Sequence, residues 1–183
     1  MFQKFFKYFD VKEQAMLNIE SYKEFLNAFS GEQFGNGLFT IFREDDIDVW
    51  HKNVIDSFSM FGESLSLFGH DWQGNCFGII QDEKKSDEVI LFEVGTGEVL
   101  SMGCSFEDFI NNEIRINSDA CLASQFYKKW LKNSGSTSKY GRCIGYKVPL
   151  FMGGEDNITN LEESDMDVYW SVLSQLARKL ESK

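Results

Sequence analysis

Val89-Ile90-Leu91-Phe92-Glu93-Val94, Gly95-Thr96-Gly97 and Glu98-Val99-Leu100-Ser101-Met102 make up the stretch on which the reading of the fold turns. Two runs of strand-forming residues on either side of a glycine-rich turn predict a β-hairpin. Upstream, Ser64 to Phe68 and Cys76 to Ile80 read as two more strands around the polar turn Gly69-His70-Asp71-Trp72-Gln73-Gly74-Asn75. Leu38-Phe39-Thr40-Ile41-Phe42 is a shorter strand, set off by the Gly35-Asn36-Gly37 turn. Together these segments predict a central, mainly antiparallel sheet.

Helices bracket it. Residues 11 to 29 carry Met16, Leu17, Tyr22, Phe25, Leu26 and Phe29 at helical spacings. Glu44-Asp45-Asp46 opens a helix bearing Trp50, Val54 and Phe58 at steps of four. The acids at its start suit the positive end of a helix dipole, so capping is the favoured reading of Asp45 and Asp46. A third helix starts at Ser105, with Asp108 at the capping-box position, and a fourth from about Ser118 carries Leu122, Phe126 and Trp130. Asn133 to Ser138 reads as a loop, and Cys143 to Gly154 as an apolar segment closed by two glycines. Ile158 to Leu161 is short and extended. Ser164 then caps a long helix with the stripe Met166, Tyr169, Trp170, Leu173, Ala177 and Leu180. This order predicts an α+β fold, with residues 1–183 as a single compact unit.

The chain has 183 residues, of which 43% are hydrophobic and 18 are Phe, enough apolar surface to exclude wholesale disorder. Its 18 Lys+Arg and 29 Asp+Glu give a net charge of −11. The charges are segregated: residues 13–114 hold 20 acidic and 5 basic side chains, whereas residues 115–147 hold 7 basic and 1 acidic. An acidic majority repels nucleic-acid phosphates and attracts a basic protein. Lys4 and Lys7 interrupt the apolar N-terminus, which therefore lacks a signal-peptide core, and no stretch approaches the ~20 apolar residues of a spanning helix. The favoured reading of residues 1–9 is a helix packing its Phe side chains onto the body rather than lying on a membrane. Cys76, Cys104, Cys121 and Cys143 form no CxxC pair and have no His companion, which predicts reduced thiols in a cytoplasmic protein and no zinc.

Chemistry finds little to work with. Gly95-Thr96-Gly97 fits neither phosphate-loop pattern and is followed by strand residues, so a hairpin turn is favoured. His70-Asp71-Trp72 is the one constellation to watch, because an Asp can orient a His and a Trp can stack on a ligand. It would form a pocket with Trp72 and Tyr146 in the wall. Glu44-Asp45-Asp46-Ile47-Asp48 lacks the spacing of a calcium loop. Lys128, Lys129, Lys132 and Arg142, interleaved with Trp130 and Tyr140, leave a weak nucleic-acid footprint. No cofactor or metal is expected.

Four stretches carry a family resemblance: Gly35 to Ile41 before a Trp-containing helix, Phe68 to Gly74, Phe92 to Leu100, and Gly145-Tyr146-Lys147-Val148-Pro149-Leu150-Phe151-Met152-Gly153-Gly154. The last runs on through Asn160-Leu161-Glu162 to Val168-Tyr169-Trp170. In content and order the chain resembles the bacterial GAD-like plus DUF1851 arrangement of immunity proteins that neutralise a type VI secretion DNase. The GAD-like part corresponds to residues 15–60 and the DUF1851-like part to 64–181. Gln73 and Asn75 stand where that family's turn usually has Leu and Arg. The resemblance implies a cytoplasmic inhibitor that blocks a cognate toxin without catalysis, and it supplies no catalytic residue. The expected partner is a basic protein toxin, a nuclease, met by Glu44, Asp45, Asp46 and Asp48, with no direct contact to nucleic acid or membrane. The alternative is a small-ligand or enzymatic site at His70, Asp71, Trp72 and Tyr146.

Overall fold

The computed structural model of the protein describes residues 1–12, 19–80 and 87–181. In chain order the elements are α1 (Gln3–Tyr8), α2 (Tyr22–Ala28), β1 (Gln33–Phe34), β2 (Phe39–Ile41), α3 (Ile47–Ser57), β3 (Leu65–Asp71), β4 (Cys76–Ile80), β5 (Glu88–Glu93) and β6 (Glu98–Ser101). There follow α4 (Phe106–Asp108), a π turn (Phe109–Glu113), α5 (Ile114–Ile116), α6 (Ser118–Leu122), α7 (Ser124–Ser134), β7 (Arg142–Tyr146), β8 (Leu161–Asp165) and α8 (Met166–Glu181). Strands β1 to β6 pair antiparallel in sequence order, and β7–β8 form a separate antiparallel ribbon. The α+β class and the antiparallel sheet stand as expected.

Both faces of β2 to β5 are covered, which explains why those strands are apolar almost throughout, while the edge strand β6 is largely exposed. Along β5, Val89 and Leu91 face one layer while Ile90 and Phe92 face the other. The first layer holds α1, α2 and the helices from Phe106 to Tyr127; the second holds α3 and α8 through Trp50, Val54, Met166, Trp170 and Leu173. The Phe excess concentrates in the first layer. Phe2, Phe5 and Phe6 are fully buried, with ring centroids 4.7 Å (Phe2–Phe25) and 4.8 Å (Phe5–Phe34) apart, so the N-terminal helix packs on the body. In β3 the register shifts between Leu67 and Gly69, and a Cβ at Gly69 would lie 2.4 Å from the Thr40 carbonyl oxygen. Only glycine permits the two strands to come that close.

Several local expectations are corrected. The helix expected over 11–29 begins at Tyr22, where Ser21 Oγ accepts the Glu24 N–H and Glu24 Oε2 accepts the Glu20 N–H, a capping arrangement that ends extended chain. Met16 and Leu17 lie outside the described residues. The helix starting at Ser105 contains a π turn, which lets Phe109, Ile110 and Ile114 all be fully buried. The helix expected from Ser118 breaks at Ala123, whose φ is +45°. The break leaves the Leu122 carbonyl free to accept from Trp72 Nε1 at 2.9 Å. Helix α7 runs to Ser134, into the expected loop. Ile158–Asn160 is a 3-10 turn rather than extended, and Ser164 lies in β8. Asp165 caps α8 instead, its Oδ1 accepting the Val168 N–H at 3.1 Å.

Candidate functional site

Acidic side chains at two strand-end turns are the candidates, and the fold treats them oppositely. After β2, Arg43 continues extended and Glu44–Asp46 forms a 3-10 turn leading into α3. The turn is held from outside. Ser30 Oγ accepts the Glu44 N–H at 3.1 Å, and Tyr140 Oη accepts the Arg43 N–H at 2.8 Å while donating to Asp46 Oδ2 at 2.9 Å. The Arg43 guanidinium lies 4.1 Å from the centre of the Tyr140 ring, in cation–π contact. Burial and the Asp46 carboxylate push the Tyr140 phenol up to about 12, so it remains a donor.

Asp46 therefore does not cap α3: no side-chain cap bond forms there, and its carboxylate is spent on Tyr140. Asp46 stands at the N-cap position without the side-chain bond of a cap, and both Asp45 and Asp46 keep the place at the helix start that the dipole favours. Glu44, Asp45 and Asp48 are exposed, with no ion pair among the described residues. Sequence reasoning missed Tyr140 as the staple, because 94 residues separate it from Asp46 and nothing local marks the pairing. It also missed a continuation of the edge. Gly141, next to Tyr140, accepts the Met166 N–H, and Asn53 on α3 donates to Asp167 Oδ1 at 2.7 Å. The exposed Asp165 and Asp167 thus extend the same acidic edge.

His70 and Asp71 belong to β3 rather than to a turn, and both are only 2% exposed. His70 Nδ1–H donates to the Asp71 carbonyl at 2.8 Å, and burial holds the imidazole down to about 4, so it is neutral. Asp71 Oδ1 accepts the N–H groups of Gln73 (2.8 Å) and Asn75 (3.0 Å), and Oδ2 accepts from Asn75 Nδ2 (3.0 Å). Burial pushes this carboxyl up to about 7 against the pull of those bonds. The His and Trp face different layers. His70 lies 5.3 Å from the Phe42 ring, whereas Trp72 packs 4.9 Å from Tyr127 in the opposite layer. Tyr146 donates to Asp156 Oδ1 at 2.7 Å and lies over Gly95, where a Cβ would come within 2.8 Å of its ring.

What this turn does is join parts of the molecule. The Trp72 carbonyl accepts the Ile144 N–H of β7, and the Gly74 carbonyl accepts Trp170 Nε1 of α8 at 2.7 Å. Arg142, from the basic segment, pairs with Glu163 across the ribbon at 3.3 Å. Cys76, Cys104, Cys121 and Cys143 are free thiols, and among the described residues no group of three or more His, Cys, Asp or Glu could hold a metal ion. No helix among them is long and apolar enough to cross a membrane.

Comparison with known proteins adds to this geometry. A family model described as the SMI1 / KNR4 family (SUKH-1) matches residues 14–112, more than half of the chain. A second, described as T6SS immunity protein Tdi1, C-terminal, matches residues 105–177. The fold is similar to the crystal structure of Atu4351 from Agrobacterium tumefaciens, with a TM-score of 0.66 and 13% identity over 96% of this chain and 89% of that one. No curated protein matches the chain in sequence. The two matched segments meet near residues 105–112, and the Asp46–Tyr140 bond crosses between them.

Proposed function

The chain belongs to the SMI1/KNR4 family (SUKH-1), and we propose that it is an immunity protein that binds a basic toxin, a nuclease, and blocks it without chemistry of its own. The observation that carries the reading is the acidic edge: Glu44 and Asp45 on a turn fixed from outside by Tyr140, and Asp48 at the start of α3, are exposed and have no ion pair among the described residues. A match to an immunity-protein model over residues 105–177 supports it, since Tyr140 lies in that segment. Fixed carboxylates on a body of net charge −11 raise the encounter rate with a basic partner and cost little ordering entropy on binding. The complex forms in the cytoplasm, where the toxin would otherwise act. The GAD-like part at 15–60 and the DUF1851-like part at 64–181 act as one binding unit in this reading.

Co-expression with the basic toxin encoded beside it tests the proposal. Growth is rescued by the unaltered chain, and unchanged toxicity sinks the idea. In purified form the association rate drops as salt rises from 0.05 to 0.5 M, roughly as screening of exposed charges requires. A salt-independent rate would remove the electrostatic part and leave steric blockade.

A further inference from the structure

Although the chain is strongly acidic, the fold brings three cations to one cavity. Lys4, Lys7 and Tyr8 of α1 and Arg115 of α5 line about 510 Å³ of space, and no acidic side chain is among the described lining residues. The core builds this arrangement. With Phe2, Phe5 and Phe6 buried, Lys4 and Lys7 fall on the outer side of α1, and Tyr8 is 42% exposed. The π turn buries Ile114 and leaves Arg115 exposed beside them. Lys4 Nζ donates to Asn112 Oδ1 at 2.8 Å, tying the two helices together. Lys7 and Arg115 have no hydrogen bond or ion pair among the described residues. The sequence keeps the two groups 108 residues apart, so their meeting is a product of the tertiary fold.

Lys4 also lines a neighbouring cavity with Glu107 and Asp108, but Lys7 and Arg115 do not, and an anion held among the three cations relieves their mutual repulsion. We propose that this cavity binds a small phosphorylated aromatic ligand, a nucleoside monophosphate or diphosphate. Lys4, Lys7 and Arg115 take the phosphate, the guanidinium offering the planar donor pair that matches phosphate oxygens. The base stacks on Tyr8, which is 42% exposed and whose ring meets Phe9 in a T-shaped pair at 4.8 Å. The volume lies within the range of small-molecule sites, ~300–1,000 Å³. A small ligand is favoured over a nucleic-acid chain or an anionic membrane because the field of a −11 body repels an anion in proportion to its charge. This site is separate from the acidic edge and stands or falls independently of toxin binding.

Calorimetric titration of the full chain at low salt tests it, with AMP as the probe and inorganic phosphate, adenosine, a short DNA oligonucleotide and phosphatidylserine vesicles alongside. AMP saturates one site, and phosphate and adenosine each bind at least ~10-fold more weakly, because each lacks half of the contacts. Tyr8→Ala weakens AMP ~10-fold and leaves phosphate unchanged. The double variant Lys7→Glu/Arg115→Glu loses AMP while its circular dichroism and thermal midpoint stay those of the parent. Lys7→Gln/Arg115→Gln replaces it if charge reversal disturbs folding. Absence of AMP binding, equal binding by the double variant, or tighter binding of the oligonucleotide or the vesicles overturns the proposal.

Discussion

Two strand ends in this protein, residues 43–48 and 70–75, carry acidic side chains and put them to opposite uses. The first leaves β2 through a 3-10 turn into α3, and the second ends β3 at Asp71 and turns back into β4. In the second, every carboxylate oxygen of Asp71 accepts a hydrogen bond from its own turn, and the turn's carbonyls receive β7 and Trp170 of α8. In the first, Asp46 alone is spent internally, on Tyr140, while Glu44, Asp45 and Asp48 face solvent. Burial decides which acids serve the fold and which are left for a partner.

The largest effect should come from the buried turn. Asp71→Ala strands the Gln73 and Asn75 N–H groups and the Asn75 amide, and is expected to cost about 3 kcal/mol or more in chemical denaturation. A loss no larger than that of a surface substitution would erase the contrast between the two turns. Next is a pH effect. His70 titrates at about 4 in the fold, below its unfolded value, so the unfolded chain binds the extra proton between pH 6.5 and 4. The stability that His70 lends is therefore lost as pH falls through that window. Asp71, raised to about 7, acts in the other direction: its burial penalty is relieved as pH falls from 7 towards 4. His70→Phe should accordingly gain on the parent by up to about 3 kcal/mol between pH 6.5 and 4, read from denaturation midpoints at each pH.

Smaller effects belong to the exposed turn. Tyr140→Phe keeps the ring under Arg43 but loses the bonds to the Arg43 N–H and Asp46, for about 1 kcal/mol by thermal denaturation. Glu44→Lys/Asp45→Lys/Asp48→Lys should change stability by no more than about 0.5 kcal/mol and yet slow association with a basic partner ~10-fold or more in stopped-flow mixing. If this triple variant destabilises the fold as Asp71→Ala does, the acidic edge is structural and the two turns are alike.

Much of this architecture was legible from local pattern. The hairpin over 89–102 follows from its apolar runs and glycine turn, and the burial of Phe2, Phe5 and Phe6 follows from Phe side chains alternating with exposed Lys4 and Lys7 on a short helix. Where two local signals competed, reading them one at a time failed. Ser164 and Asp165 are both good caps, and only pairing of β8 with β7 leaves Asp165 as the residue that turns into α8. Ala123 has no local reason to adopt φ +45°; Trp72, packed from another layer, uses the carbonyl that the break frees. His70 and Asp71 looked like turn residues because they are polar, yet β3 carries them into the interior.

By itself the sequence determined the class of fold, the identity of most core residues and the excess of acid, because apolar periodicity and net charge are properties of neighbouring residues or of their sum. The tertiary structure alone decided which acids are exposed, that Tyr140 holds Asp46, and that Lys4 and Lys7 meet Arg115. Those juxtapositions bring together residues roughly a hundred positions apart, and they follow from how the helices close over one sheet, which no local spacing encodes.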